Sequence, residues 1–173
     1  MDLPTRKKLA EKAEELAVLP FHGTCGETPS NLAPLVAPFP KWNVEAAENS
    51  WCAAFVYFCC MKAGFSIPYS PDECVTCSLA GCGGWEEFAM GDPRIEYHRT
   101  GGFLPERGDI VLFDRVFCGM EHDHIGIVLA VSADTITTVE RLVGPENRSG
   151  IVTRRRDDHI RAYIRLPDGF IYR

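Results

Sequence analysis

The chain has 173 residues, 46% hydrophobic and 24% charged, a composition that fits one soluble globular domain over residues 1–173 with a sizeable core. Its formal net charge of −6 argues against nucleic acid as a partner, because polyanion binding needs clustered Lys and Arg. The single basic cluster beyond the N-terminus, Arg154-Arg155-Arg156, runs into Asp157 and Asp158 and reads as a solvated strand edge.

Residues 1–12 are charged and lack the apolar segment of a signal peptide, so the expectation is a chain that stays cytoplasmic until it is released. Residues 5–19 set Leu9, Ala13, Leu16 and Ala17 at helical spacing among Lys and Glu, an amphipathic surface helix ended by Pro20. Residues 21–41 hold Gly23, Gly26, Pro29, Pro34, Pro38 and Pro40 and read as a long surface loop with room for one helical turn. Loops of this length in compact domains are often functional, and this one is a candidate wall of a substrate cleft.

Residues 50–64 follow. Between a cap at Ser50 or Asn49 and Gly64, the usual residue past a helix end, only Lys62 is charged. A helix apolar all round lies in a core or a membrane, and this one is too short to span a bilayer. It places Cys52 in its first turn, where unpaired N–H groups and the helix dipole lower a thiol pKa. Cys52 is therefore a candidate nucleophile.

Residues 66–84 contain Pro68, Pro71 and Cys74-x-x-Cys77-x4-Cys82. Three cysteines so spaced suit zinc, with Cys25, Cys118 or His98 as a fourth ligand, but without a second Cys-x-x-Cys the favoured reading is separate thiols in an irregular loop. Eight cysteines without a secretory signal do not read as a disulfide framework. Residues 85–90 look like a short helix and Gly91-Asp92-Pro93 a turn.

From Pro105 onward the pattern turns to strands: 110–113, a near-continuous apolar run over 124–131, an alternating 135–140, then 150–155 and 162–166. Helices first and strands after, with short connections, imply an α+β fold with an antiparallel sheet.

A nucleophilic cysteine needs a base and a group to orient it. His22, His98 and His159 lie in polar contexts that suit exposed or capping roles, whereas His122 and His124 flank a strand start and His124 opens the apolar run. If Ser132-Ala133-Asp134 is a three-residue loop, Val131 pairs with Thr135 and His124 falls opposite Leu142. Glu140 then lies diagonally beside His124 on the same face, near the limit of side-chain reach. The alternative for Glu140 is a solvated strand-end carboxylate.

The segments Ser50-Trp51-Cys52-Ala53-Ala54-Phe55-Val56, Gly108-Asp109-Ile110-Val111-Leu112-Phe113, Asp123-His124-Ile125-Gly126-Ile127-Val128 and Val139-Glu140 together resemble a CHAP domain, a cysteine- and histidine-dependent amidohydrolase/peptidase of bacterial and phage cell-wall enzymes. The resemblance implies a papain-like fold with N-terminal helices on a C-terminal sheet, and peptidoglycan peptides as substrate. It matches Cys52 to the nucleophile, His124 to the base and Glu140 to the orienting acid. It departs in one place: the family usually follows the acid with Gly-Asn, and here Arg141-Leu142 stand there, leaving a fourth polar member to Asn147 or Asn43. Some phage relatives bind calcium near the cysteine, but Asn43, Glu45 and Glu48 form no dense oxygen loop, so neither metal nor cofactor is expected. The expected role is that of a monomeric cell-wall amidase or endopeptidase, with no membrane span. The alternatives are a cysteine hydrolase of a cytoplasmic amide or isopeptide, or a non-catalytic zinc-stabilised binding module.

Overall fold

The structure, a computed structural model, describes residues 2–99 and 101–173. Helix α1 (Arg6–Val18) is N-capped by Thr5, whose hydroxyl accepts from the Lys8 N–H at 3.1 Å, and it buries Leu9, Ala10 and Ala13. The long loop carries one turn of helix, α2 (Ala33–Val36), and Asn43 caps another, α3 (Val44–Ala47). Helix α4 (Cys52–Lys62) begins after Trp51, not after a Ser50 or Asn49 cap. Ser50 Oγ instead donates backward to the Ala46 carbonyl at 3.2 Å, and no side chain caps α4. Its first-turn N–H groups therefore remain unfilled beside Cys52. Gly64, at φ +99°, takes the left-handed conformation that ends the helix.

Helix α5 (Cys82–Gly91) starts at Cys82 rather than Trp85. Gly83 and Gly84 read as loop in the sequence, but Gly84 is a close-approach residue: a Cβ there would stand 2.1 Å from the Ser78 carbonyl oxygen. The helix can start against the preceding loop only because that Cβ is missing, and this puts Cys82 in the first turn.

The strands are β1 (Glu96–His98), β2 (Ile110–Phe113), β3 (His124–Val131), β4 (Thr135–Leu142), β5 (Arg148–Arg155) and β6 (Ile160–Arg165). They form one antiparallel sheet in the order β1-β6-β2-β3-β4-β5. The α+β class and antiparallel sheet are as expected; β1, a three-residue strand, is too short to show a period. Alternation sends Leu112, Ile125, Ile127 and Val139 toward the helices and Val111, Phe113, Val128 and Ile136 to a second cluster. Helix α4 contacts β3, β4 and helices α1, α2 and α5, which explains its lack of a polar face. None of the helices among the described residues is long and apolar enough to cross a membrane.

The β3–β4 hairpin differs from expectation at its tip. The turn is Ala133-Asp134, closed by Ser132 N–H to the Thr135 carbonyl at 2.9 Å, so Val131 pairs with Ile136. A register shift between Val128 and Ala130 then absorbs one residue of β3, and Gly126 pairs with Glu140. The bulge restores at the far end of the hairpin the register that a three-residue loop would have produced.

Candidate active site

The start of α4 meets the start of β3. Cys52, 8% exposed, comes from the helix, and His124 is the first residue of the strand. Across the hairpin Glu140 reaches diagonally, so that His124 Nε2 and Glu140 Oε1 stand 2.8 Å apart with neither side chain exposed. Gly126 makes this possible: a Cβ there would come within 3.3 Å of both Cβ and Oε2 of Glu140. Glu140 is ionised and can only accept, so Nε2 carries the proton. His124 Nδ1 is buried and has no hydrogen-bond partner among the described residues, while Cys52 lies close enough to the ring to raise its pKa. The imidazole also stacks on Phe113, with ring centroids 6.0 Å apart.

Glu140 is not a solvated carboxylate. Thr138 Oγ1 donates to its Oε2 at 2.6 Å, and Arg154 Nε lies 3.1 and 3.2 Å from its two oxygens, with Nη2 donating to Oε1 as well. The basic cluster is thus misread in part, because Arg154 turns inward over the Phe113 ring, 5.0 Å from its centroid, and holds the acid. The four groups form an alternation of charge, Cys52, His124, Glu140, Arg154, buried except for the partly exposed Arg154.

That alternation sets the protonation states. Burial would raise the Glu140 pKa, but His124 and Arg154 outweigh it and hold the carboxyl down at about 2. Burial would likewise lower His124, but its bonds and charge contacts with Cys52 and Glu140 raise it to about 9. The Cys52 thiol is brought well below its ordinary value, first by a hydrogen bond from Cys82 and then, against burial, by His124 and the Arg141 charge. The two shifts, the thiol down and the imidazole up, both favour a thiolate facing an imidazolium.

Cys82 and Arg141 are not legible as site residues from the sequence. Cys82 Sγ lies 3.8 Å from Cys52 Sγ at the first turn of its own helix. Arg141, 2% exposed, spans the Phe117 ring at 4.9 Å and the Trp51 ring at 5.9 Å, and its Nη1 is buried with no hydrogen-bond partner among the described residues. Neither proposed asparagine joins His124. Asn43 caps α3, whereas Asn147 accepts from Trp51 Nε1 at 3.1 Å and from Arg141 Nε at 2.7 Å and donates to the Glu48 carbonyl at 2.8 Å. Asn147 thereby ties the β4–β5 loop to the residues that lead into Cys52. Leu142 pairs with Arg148 on β5, beside Gly150.

Asp123, next to His124, accepts backbone N–H bonds from Val116, Phe117 and Cys118 and fixes the loop before β3. Burial would raise its pKa, but these bonds outweigh it and keep the carboxyl ionised. That loop, with Phe39 and Trp42 from the long N-terminal segment and Tyr69, walls a cleft of about 710 Å³ onto which Cys52 and Cys82 open. Three of the other histidines have local partners, His22 Nδ1 with the Gly23 carbonyl, His159 Nδ1 with the Asp114 carbonyl, and His98 stacked on Phe103, while His122 lines the cleft. Cys74 and Cys82 turn to different partners, Cys74 Sγ donating to the Gly84 carbonyl at 3.3 Å, and all eight cysteines are free thiols.

An α+β fold in which a helix-borne thiolate faces a strand-borne imidazolium defines a cysteine-histidine site. The family model of the CHAP domain matches residues 44–141, and the chain belongs to this family of amidase and peptidase hydrolases. No curated protein matches the chain. Among solved structures it is similar to the crystal structure of Ly7917, at 22% identity over 46% of this chain and 33% of that one, with a TM-score of 0.36. It is also similar to Ly7917 with the hydrolyzing product of MDP, at 24% identity over 42% and 32% of the two chains, with a TM-score of 0.34. The chain spans about a third of the length of the proteins it matches there.

Proposed function

We propose that the chain hydrolyses amide bonds in peptidoglycan peptides, with Cys52 as nucleophile, His124 as acid and base, and Glu140 as the group that orients His124. The observation that carries this reading is the buried alignment of Cys52, His124 and Glu140, with Cys52 opening onto an aromatic-walled cleft. Cys52 Sγ attacks the amide carbonyl, and the unfilled N–H groups at the start of α4 stabilise the oxyanion. His124 passes its proton to the departing amine, leaving a thioester on Cys52. The imidazole then takes a proton from water as the water attacks the thioester, and the acid product leaves as the thiolate–imidazolium pair re-forms.

Glu140 and Arg154 hold the imidazole in one tautomer through this cycle. The same reading takes residues 1–173 as one catalytic domain acting as a monomer at the bacterial cell wall. The test is digestion of purified peptidoglycan by wild type and Cys52→Ala, with products identified by mass spectrometry. New amino termini are expected from the wild type and none from the variant; a wild type that releases no amine would refute the substrate assignment.

A further inference from the structure

The hydrolytic cycle makes no covalent use of Cys82, although its sulfur touches the nucleophile. The two sulfur atoms stand 3.8 Å apart, and each cysteine opens a helix, Cys52 that of α4 and Cys82 that of α5. Both are 8% exposed and both line the cleft, so a small solute reaches them from solvent. The remaining thiols are placed differently. Cys59 and Cys60 are fully buried in the body of α4, and Cys74 is half-buried and donates to the Gly84 carbonyl. Cys25 and Cys118 are exposed, and Cys77, also exposed, lines the same cleft but opens no helix.

We propose that Cys52 and Cys82 form a reversible modification site, a dithiol that hydrogen peroxide converts into a Cys52–Cys82 disulfide and a thiol reductant restores. The Cys52 thiolate attacks the peroxide O–O bond, forming Cys52–SOH and releasing hydroxide, which is protonated to water. Cys82 sulfur then attacks the sulfenic sulfur. The S–S bond forms, the S–O bond breaks, and the Cys82 proton leaves with the hydroxyl as water. The two thiols are oxidised by two electrons and the peroxide is reduced to two waters. A disulfide bond is about 2.05 Å long. The sulfurs, 3.8 Å apart, must close the remaining gap.

The order of events follows from the electrostatics. In the reduced state the hydrogen bond to the Cys52 thiolate, burial and the thiolate charge keep the Cys82 thiol protonated, so Cys52 reacts first. Once Cys52 is a neutral sulfenic acid, that charge is gone and Cys82 is freed to act as the resolving thiol. The disulfide consumes the nucleophile and blocks further oxidation of Cys52 to the sulfinic acid, which thiols do not reverse.

The test is hydrogen peroxide treatment of wild type, Cys82→Ser and Cys82→Ala, followed by non-reducing peptide mapping and then dithiothreitol. Wild type should yield a linked Cys52–Cys82 peptide pair lighter by two hydrogens, and dithiothreitol should return Cys52 to an iodoacetamide-reactive thiol. Both variants should instead accumulate Cys52 sulfinic acid that dithiothreitol does not recover. The proposal is overturned if wild-type Cys52 is lost to the sulfinic acid as readily as in the variants. It is equally overturned if the linkage found is Cys77–Cys82 with Cys52 left as a thiol. Mapping of the wild type decides the matter even where a variant fails to fold, and none of these readouts requires amidase activity.

Discussion

Replacing Glu140 by Gln keeps the shape of the side chain and removes the one negative charge between two buried cations. Thr138 can still hydrogen-bond the amide oxygen, but His124 and Arg154 lose their shared counter-ion. The rise of His124 from 6.5 to about 9 corresponds to about 3 kcal/mol shared between Cys52 and Glu140, and the fall of Glu140 from 4.5 to about 2 is shared between His124 and Arg154. Breaking a buried pair by removing one partner costs about 3–5 kcal/mol, so a loss near 3 kcal/mol is expected for Glu140→Gln at neutral pH.

The pH dependence follows from the signs. Glu140 has a depressed pKa, so its contribution is present above 4.5 and is lost as pH falls through about 2. His124 has a raised pKa, so its contribution is full below 6.5 and is lost as pH rises through about 9. Urea unfolding across this range, with NMR titration of the His124 ring, measures both. In wild type the loss from His124 between pH 6.5 and 9 is offset by the Cys52 thiolate, whose lowered pKa adds stability as pH rises over the same range. Unfolding stability should therefore change little there, and the His124 titration carries the readout. The variant should be less stable throughout and should titrate His124 at least tenfold more readily, a difference of about 1.4 kcal/mol. A variant within about 1 kcal/mol of wild type, with His124 still titrating near 9, would refute the assignment of Glu140 as the group that holds the imidazolium.

Other changes test neighbouring parts of the site. Arg154→Met should raise the Glu140 pKa and cost about 2 kcal/mol by urea unfolding, whereas the solvated-edge reading of this residue requires no change. Gly126→Ala should push the Glu140 carboxylate off His124 and lower kcat by about tenfold or more with little change in KM; unaltered kcat would mean that the close approach of strand and carboxylate is dispensable. Arg141→Met removes a buried guanidinium whose Nη1 has no partner, so stability should hold or rise while the pH at which Cys52 becomes alkylated by iodoacetamide moves upward. Unchanged alkylation would detach Arg141 from the thiolate. The kcat/KM profile of the wild type should fall on the acid side below the ordinary thiol range and on the alkaline side near pH 9, where His124 loses the proton meant for the leaving amine. An alkaline limit near the ordinary histidine value would contradict that role.

Much of this arrangement is legible in the sequence, for definite reasons. The helix that carries Cys52 announces itself because a single charged residue interrupts its apolar run, and its surroundings leave no face in water. The relation of His124 to Glu140 is legible because side chains alternate strictly along paired strands. The expected register nevertheless rested on a compensation: a tighter turn at Ala133-Asp134 and a bulge near Leu129 cancel, and neither leaves a mark in the residue pattern.

What the sequence hides depends on contacts between distant segments. Cys82 is masked by Gly81, Gly83 and Gly84, which signal loop, although Gly84 serves the close contact with Ser78 that starts the helix. Arg154 looks solvated because its neighbours are charged. Its inward turn emerges only once β5 is registered on β4, where it shares a face with Glu140. Arg141 stands where the family usually has Gly, and the substitution alone does not reveal that the guanidinium lies between two aromatic rings beside the thiolate.

The most direct test of Cys52 as the nucleophile is covalent. Wild-type protein mixed with peptidoglycan peptides, quenched in acid during turnover and mapped by mass spectrometry should carry an acyl group on the Cys52 peptide that hydroxylamine removes. Cys52→Ala should carry none. Amide cleavage that proceeds with no acyl adduct on Cys52, or with the adduct on another cysteine, would contradict the thiolate mechanism.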